Sequence, residues 1–415
     1  MNNLGILSNI DNPGQLEKLY RDNKTAFKTE FNSLYPNLAD NKLATFWHER
    51  LKYESSEINW GSTKELIFVL AAAFLGGFIA QLPLILHLNP DNFYPRNVGF
   101  VIFPILTAYF IWKSGLSGKK TALVFLVTLV SLFFINLFPE NKNSDTFLLS
   151  CIHLPLFLWA VLGFSYSGNN TWSYPKRLEF LRYNGDLIIM SGLILIAGGM
   201  LTGITINLFS AIGINIENFY SEYIIVFCLP AVPILGTYIT QTNPQLVNKV
   251  SPVIAKIFSP LVLVTLLVYL AAILYSGKDP YQDREFLLIF NILLIGVMAI
   301  ILFSIAEAHK KNGSRAGSFI LCALSLVTII VNGIALSAIL YRISEWGITP
   351  NRLAVLGGNI LMLTNLCMVT FQLFRHVANK TEGLEVGNSI AKFLPVYCLW
   401  TIIVTFLFPF FFNFN

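Results

Sequence analysis

Charged residues are scarce in this chain: aspartate, glutamate, lysine and arginine make up 12% of its 415 residues, whereas hydrophobic residues make up 55%. Soluble domains average about 25% charged residues, which form the polar shell around their core. The present fraction is too small to cover a soluble body of this size. We therefore expect most of the protein surface to face lipid.

Cysteine is scarce as well, and the five cysteines are widely spaced, with no Cys-x-x-Cys pair among them. This spacing argues against a disulfide framework and against a zinc site. The sequence also lacks the short motifs of zinc proteases, serine hydrolases and dinucleotide-binding folds. We expect no metal, no cofactor and no nucleic-acid partner, and an enzyme is the least favoured class.

The first 64 residues are polar and are predicted to form two amphipathic helices of a small cytoplasmic region. Asn12-Pro13 is typical of a helix start, and Asp40 is a candidate cap for the second helix. Apolar side chains recur near helical spacing at Leu16, Leu19, Tyr20, Phe27, Phe31 and Leu34, and then at Leu43, Phe46, Trp47 and Leu51. Three roles stay open for this region: packing on itself, lying on the membrane, or holding a protein partner.

Residues 65–415 form the predicted transmembrane domain, so the fold class is an all-α polytopic bundle. The clearest span is the uncharged stretch 187–208, which is long enough for a bilayer. Eleven spans are predicted in all, at 66–88, 98–113, 121–138, 147–166, 187–209, 221–240, 253–275, 286–306, 317–340, 351–373 and 390–411.

The distribution of basic residues orients these spans. With eleven crossings, 22 of the 28 lysines and arginines fall on the side of the N-terminus. The other side receives six, namely Arg96, Lys142, Lys278, Arg284, Arg342 and Arg352. The positive-inside rule then places the N-terminus in the cytoplasm and the C-terminus outside. A missed or additional span would degrade this bias, so the bias favours an odd number of spans.

Three stretches carry a further signal: Asn184-Gly185-Asp186 before the fifth span, residues 258–307, and the segment RISEWGITPNRLAVLGGN at 342–359. In hydropathy and short polar signatures, the chain resembles the bacterial membrane proteins that carry the domain of unknown function 4153. The resemblance covers most of the chain after the polar N-terminal region. It implies a bacterial inner-membrane protein and brings no activity, cofactor or catalytic residue.

Few polar side chains lie within the predicted spans, and these are the candidate binding residues. His153 is the only ionisable residue well inside a span, and such residues are costly in lipid and often functional. Asn291, Asn332, Asn359 and Asn365 lie in spans eight to ten, where each amide needs a partner. These five residues line a substrate cavity if they converge. The alternative is that each forms a structural hydrogen bond between helices.

Two further patterns concern helix packing. Gly199 and Gly203 have the GxxxG spacing that lets two helices approach closely. Pro230 and Pro233 must disturb the sixth span. Broken spans are found in transporters, usually as a matching pair in two repeats, but no internal repeat is visible here.

Two functional hypotheses follow. The first is a transporter or permease-like protein for a small or lipidic uncharged solute, which predicts a polar cavity near the midplane. The second is a non-enzymatic membrane subunit or scaffold that binds a protein through its N-terminal helices. It predicts a dry bundle and an exposed apolar stripe on those helices. No carboxylate is predicted deep within the spans, so proton- or metal-ion-coupled transport is disfavoured.

Overall fold

The computed structural model describes residues 5–22, 24–53, 61–139, 144–276, 281, 284–310, 315–378 and 383–414. The chain divides into two compact units, Met1–Trp60 and Gly61–Asn415. In the described ranges the regular structure is helical, and eleven helices are long and apolar enough to cross a membrane. The predicted all-α polytopic transmembrane bundle is therefore confirmed.

The N-terminal unit contains three helices rather than the predicted two. They are α1 (Pro13–Asp22), α2 (Lys24–Leu34) and α3 (Lys42–Tyr53). Asn12 caps α1 as predicted, because its side chain accepts a hydrogen bond from the backbone N–H of Gln15 at 3.2 Å. The cap of α3 is Asn41 and not Asp40, since the Asn41 side chain accepts from the N–H of Leu43 at 2.8 Å.

The apolar side chains of this unit pack on one another. Its buried core is formed by Ile6, Leu16, Tyr20, Phe27, Phe31, Ala44, Trp47 and Leu51. Leu7 and Phe46 are the large apolar side chains that stay exposed in the described part of the unit. Most of the amphipathic faces predicted from the sequence are thus used internally.

An ion-pair cluster joins the first and third helices of this small unit. The Glu17 carboxylate lies 2.6 Å from Arg50 and 2.8 Å from Arg21. Hydrogen bonds from Arg50 and then Arg21 hold the pKa of Glu17 below its usual range. The Arg50 guanidinium also stacks on the Trp47 ring, 4.4 Å from its centroid. The pairing therefore ties α1 to α3 over their shared core.

The second unit begins with five spans separated by short turns. In chain order its first helices are α4 (Thr63–Ala80), α5 (Leu82–Ile85), α6 (Pro90–Ser114), α7 (Gly118–Asn136), α8 (Asp145–Tyr166) and α9 (Tyr174–Ala211). The sixth span is broken, as the prolines predict: α10 (Glu217–Phe219), a π-helical turn at Tyr220–Ile225 and α11 (Val226–Cys228) are followed by α12 (Ala231–Thr242).

The remaining spans are long and form the larger apolar core. They are α13 (Pro244–Ser276), α14 (Arg284–Lys310), α15 (Arg315–Trp346), α16 (Pro350–Val377) and α17 (Gly383–Ile402), then a π-helical turn at Ile403–Leu407 and α18 (Phe408–Phe411). One core lies among α14, α15 and α16, and a second lies among α4, α6 and α12. Trp159 of α8 packs against both cores.

Four spans begin at least seven residues earlier than hydropathy predicts, at α6, α9, α13 and α17. In α6 the second turn is buried by a neighbouring helix, and its Arg96 is only 8% exposed. Its Nη1 lies 3.0, 3.2 and 3.1 Å from the carbonyl oxygens of Ile135, Asn136 and Phe138. Arg96 therefore caps the C-terminal end of α7, where a positive charge is stabilising. It is not the loop residue that the charge count assumed.

Gly199 and Gly203 have no close neighbour among the described residues: no described atom lies within 4 Å of the position that a Cβ would take at either residue. Among the described glycines, the tightest sites for an added Cβ are Gly185, where it would fall onto the Phe303 ring, and Gly357, where it would fall onto the Trp400 ring. A GxxxG spacing allows a second helix to pack closely on one face, but such packing occurs only where a helix lies against that face.

Candidate functional site

A cavity of about 1780 Å³ lies in the second unit between α8, α9, α14, α16 and α17. Sites for drug-sized molecules usually measure about 300–1,000 Å³. The walls are mostly aliphatic and aromatic, and a small number of polar side chains interrupts them. Its size and composition suit a ligand with a large apolar body.

The cavity extends through the whole thickness of the bundle. Helix α8 lines it from Asp145, its first residue, to Ser167, just beyond its last. At 1.5 Å per residue this is a length of about 33 Å, close to the hydrocarbon thickness of about 30 Å. Arg352 lines the cavity at the Asp145 end, and Arg177 lines it at the opposite end.

Exposed apolar side chains form two stripes along the cavity wall. Three lining residues on α8 and three on α14 recur at helical spacing and are 48–61% exposed: Leu148, Ile152 and Leu156, and then Leu288, Ile292 and Ile295. The cavity is partly open. We call this open, largely apolar cavity the crevice.

His153 lies in this crevice, in the α8 turn before Pro155. Its Nδ1 is 2.9 Å from the carbonyl oxygen of Leu149 in the preceding turn. The bond assigns the ring proton to Nδ1, so Nε2 is an acceptor in the neutral imidazole. His153 thus presents an uncharged polar group on an otherwise apolar helix.

Two of the four candidate asparagines form a pair at the crevice wall. The Nδ2 of Asn359 donates to the Oδ1 of Asn291 at 2.9 Å. The Nδ2 of Asn291 in turn donates to the carbonyl oxygen of Leu287 at 2.7 Å. Both asparagines line the cavity. The pair joins α14 to α16 and also adds amide groups to the apolar wall.

The other two candidate asparagines are fully buried and do not line the cavity. The Nδ2 of Asn365 donates to the hydroxyl of Tyr397 at 3.1 Å, and Tyr397 does line the cavity. Both amide atoms of Asn332 lack a hydrogen-bond partner among the described residues. The structure therefore brings His153, Asn291 and Asn359 to one cavity and leaves Asn332 and Asn365 outside it.

Arg342 is a cavity residue that the sequence analysis missed. The charge count placed it in a loop, but it lies inside α15, is 8% exposed and lines the crevice. Its Nε donates to the carbonyl oxygen of Tyr281 at 3.0 Å. Its Nη2 is buried and has no hydrogen-bond partner in the described parts of the chain. Gly347 is the sequence feature that could have predicted this position, because a glycine is typical of a helix C-cap. It has the left-handed φ of 75° expected there, so α15 extends past Arg342 to Trp346.

Arg352 lies at the same end of the crevice, in the first turn of α16. Its backbone N–H donates to the Thr349 hydroxyl, which caps the helix. Its Nη1 donates to the carbonyl oxygens of Trp346 and Gly347, each at 2.7 Å. The guanidinium groups of Arg342 and Arg352 lie 5.7 and 5.8 Å from the Trp346 ring centroid. Two positive side chains and a helix N-terminus therefore lie together.

The opposite end of the crevice also carries an arginine. The Nε of Arg177 donates to the carbonyl oxygen of Thr171 at 3.1 Å, and its Nη1 donates to that of Ala391 at 3.1 Å. Its guanidinium lies 5.4 Å from the Trp172 ring centroid. The apolar crevice therefore has a positive group near each surface of the bundle.

No family model, no curated protein and no solved structure matches this chain.

Proposed function

We propose that this protein is a permease-like transporter that moves a lipidic solute across the membrane. The observation that carries the proposal is the crevice, which extends over the full length of α8 and is lined by the exposed apolar stripes of α8 and α14. A lipid that enters between these stripes leaves the bilayer without passing through water.

The apolar walls favour movement of the acyl chain over tight binding. Burying a CH₂ group from water is worth about 0.8 kcal/mol, but an acyl chain in the bilayer is already out of water. Its transfer into an apolar crevice changes the free energy little, so no deep minimum traps it. The polar part of the solute is the difficult part to move, and His153, Asn291 and Asn359 offer it hydrogen bonds along the wall.

The scaffold hypothesis has less support. It needs an exposed apolar stripe on the N-terminal helices, whereas most of their apolar side chains form the internal core of that unit. Leu7 and Phe46 are the large apolar side chains left exposed in its described part.

We further propose that the protein acts in a bacterial inner membrane with its N-terminus in the cytoplasm. This rests on the resemblance to the family with the domain of unknown function 4153 and on the 22 basic residues assigned to the N-terminal side. In that orientation the Arg177 end of the crevice faces the cytoplasm, and the Arg342 end faces outward.

The test is lipid movement in vesicles that contain the purified full-length protein. Fluorescent phospholipid is placed in both leaflets, and an impermeant reductant bleaches the outer leaflet, so the further loss of signal reports movement from the inner leaflet. The protein is expected to accelerate this loss relative to protein-free vesicles.

A matched pair of variants locates the path. Ile292→Trp narrows the crevice at an exposed lining position, whereas Leu126→Trp adds the same bulk at a similarly exposed position outside it. Only Ile292→Trp is expected to slow lipid movement. Equal rates in the two variants, or no acceleration by the unmodified protein, would contradict the proposal.

A further inference from the structure

The most unusual group in the crevice is the Arg342 guanidinium, because it is buried and incompletely paired. Arginine stays charged at any physiological pH, and a buried charge is normally paired with an opposite charge. Among the described residues, however, Arg342 makes one side-chain hydrogen bond, to the Tyr281 carbonyl, and its Nη2 is left without a partner. Because Arg342 also lines the cavity, an acceptor that enters the cavity at this end is a suitable partner for it.

Among the described residues that line this end of the cavity, the two arginines Arg342 and Arg352 outnumber the one acidic residue, Asp145. Arg352 lies against the same Trp346 ring, and the N-terminus of α16 adds the positive end of a 28-residue helix. Asp145 is the acidic residue of the cavity lining. It forms no ion pair with Arg342 or Arg352 in the described ranges. The net charge at this end therefore favours an anion.

The apolar stripes start beside this positive end. Leu148 and Leu288 lie in the first turns of α8 and α14, and both stripes continue from there towards the opposite end. A ligand that satisfies both features has an anionic head and a long apolar body. A guanidinium binds carboxylate and phosphate oxygens through two parallel hydrogen bonds, which fixes the head group as well as attracting it.

We propose that the crevice binds an acyl lipid with an anionic head group, whose oxygens accept hydrogen bonds from Arg342 and Arg352. This inference rests on the transport proposed above and names its solute class. It also replaces the uncharged solute expected from the sequence. The buried Arg342 adds a cation near the end of α15, and this cation favours an anionic head group over an uncharged one.

Native mass spectrometry of the full-length protein tests the proposal. The protein is released from micelles with equal amounts of phosphatidylglycerol and phosphatidylcholine, which have similar acyl chains and different head-group charge. Both lipids present a phosphate, but the choline cation of phosphatidylcholine cancels its net charge and is repelled by the second arginine. A unit charge at about 4 Å is worth about 1 kcal/mol even in water, so the protein is expected to retain phosphatidylglycerol at least about fivefold more. Equal retention of the two lipids by the unmodified protein would overturn the proposal.

Three variants test whether Arg342 and Arg352 cause the preference for phosphatidylglycerol. Arg342→Gln is expected to abolish it, and Arg352→Gln is expected to weaken it, which keeps the test decisive if Arg342→Gln does not fold. Arg375→Gln is the matched control, because Arg375 also stacks on an aromatic ring, at 5.7 Å from the Phe371 centroid, but does not line the cavity. A preference that survives Arg342→Gln and Arg352→Gln, or is lost in Arg375→Gln, would overturn the assignment.

Two further experiments are needed. The first distinguishes a lipid head group from a free anion as the ligand, and the second distinguishes this inference from the transport proposal. Excess inorganic phosphate is expected to leave bound phosphatidylglycerol in place; its displacement would show a site for free anions and overturn the lipid assignment. In the vesicle assay, movement of both lipids with no head-group preference would overturn this inference and keep the transport proposal. Arg342-dependent binding without any lipid movement would overturn transport and keep the site.

Discussion

Replacing Gly185 by alanine tests the closest contact between α9 and α14. Gly185 is buried, and a Cβ built on it would fall onto two ring carbons of Phe303. Carbon atoms that are not bonded to each other are stable at about 3.5–4.0 Å. The ring must therefore move before the methyl group can be accommodated.

The magnitude follows from a comparison with Gly199→Ala on the same helix. Alanine is favoured over glycine in a helix interior by about 1 kcal/mol, and this gain applies to both variants. At Gly199 no described atom lies within 4 Å of the new Cβ, so only the gain remains. At Gly185 the overpacking cost of about 1–3 kcal/mol is added. Gly185→Ala is therefore expected to be less stable than Gly199→Ala by that amount.

The assay is reversible unfolding of each full-length variant in mixed micelles, with helix content as the readout. The reasoning is refuted if the two variants have equal free energies of unfolding. If Gly199→Ala is the destabilised variant instead, the GxxxG face packs on a second molecule rather than facing lipid.

Three other substitutions test individual contacts. Arg96→Met removes the charged donor at the end of α7 and is expected to lower the free energy of unfolding by at least about 1.5 kcal/mol, measured in the same micelles. Asn359→Leu removes the hydrogen bond to Asn291; such bonds average about 0.6 kcal/mol in membranes, so a small stability loss with a larger loss of lipid movement is expected. The pKa of Glu17 is lowered by its hydrogen bonds with Arg50 and then Arg21, so its stabilisation is present above the unfolded-state pKa and is lost as the pH falls through the folded-state value. Protection factors at α1, which correct for the slower intrinsic exchange at low pH, are therefore expected to fall over that acidic range in the native protein and to change much less in Glu17→Gln.

Hydropathy and the distribution of basic residues were sufficient to predict the all-α bundle and its eleven spans. Each span is a continuous apolar stretch, and such a stretch must form a helix in lipid to satisfy its backbone. The break before α12 was also predictable, because Pro230 has no N–H to donate. These features depend on the local chain alone.

The features that depend on neighbours were not predictable. Arg96 and Arg342 lie beyond the apolar stretches, and nothing in their own segments shows that a helix end or a cavity wall buries them. The same holds for Gly199, whose spacing permits packing but does not provide a partner. Asn291 and Asn359 were found because an amide in a span always needs a partner, yet their pairing required the positions of α14 and α16.

The length of α9 has a mechanical consequence. Its 38 residues form a rod of about 57 Å, nearly twice the hydrocarbon thickness of about 30 Å. All its buried residues lie in the part up to Gly185, and Gly192, Gly198, Gly199 and Gly203 have no described neighbour within 4 Å of a Cβ. Packing on α12 continues to Leu187 and Ser191, which lie against Gly236. A change in bilayer thickness is therefore expected to change the tilt of the last part of α9 before it disturbs the packed first half.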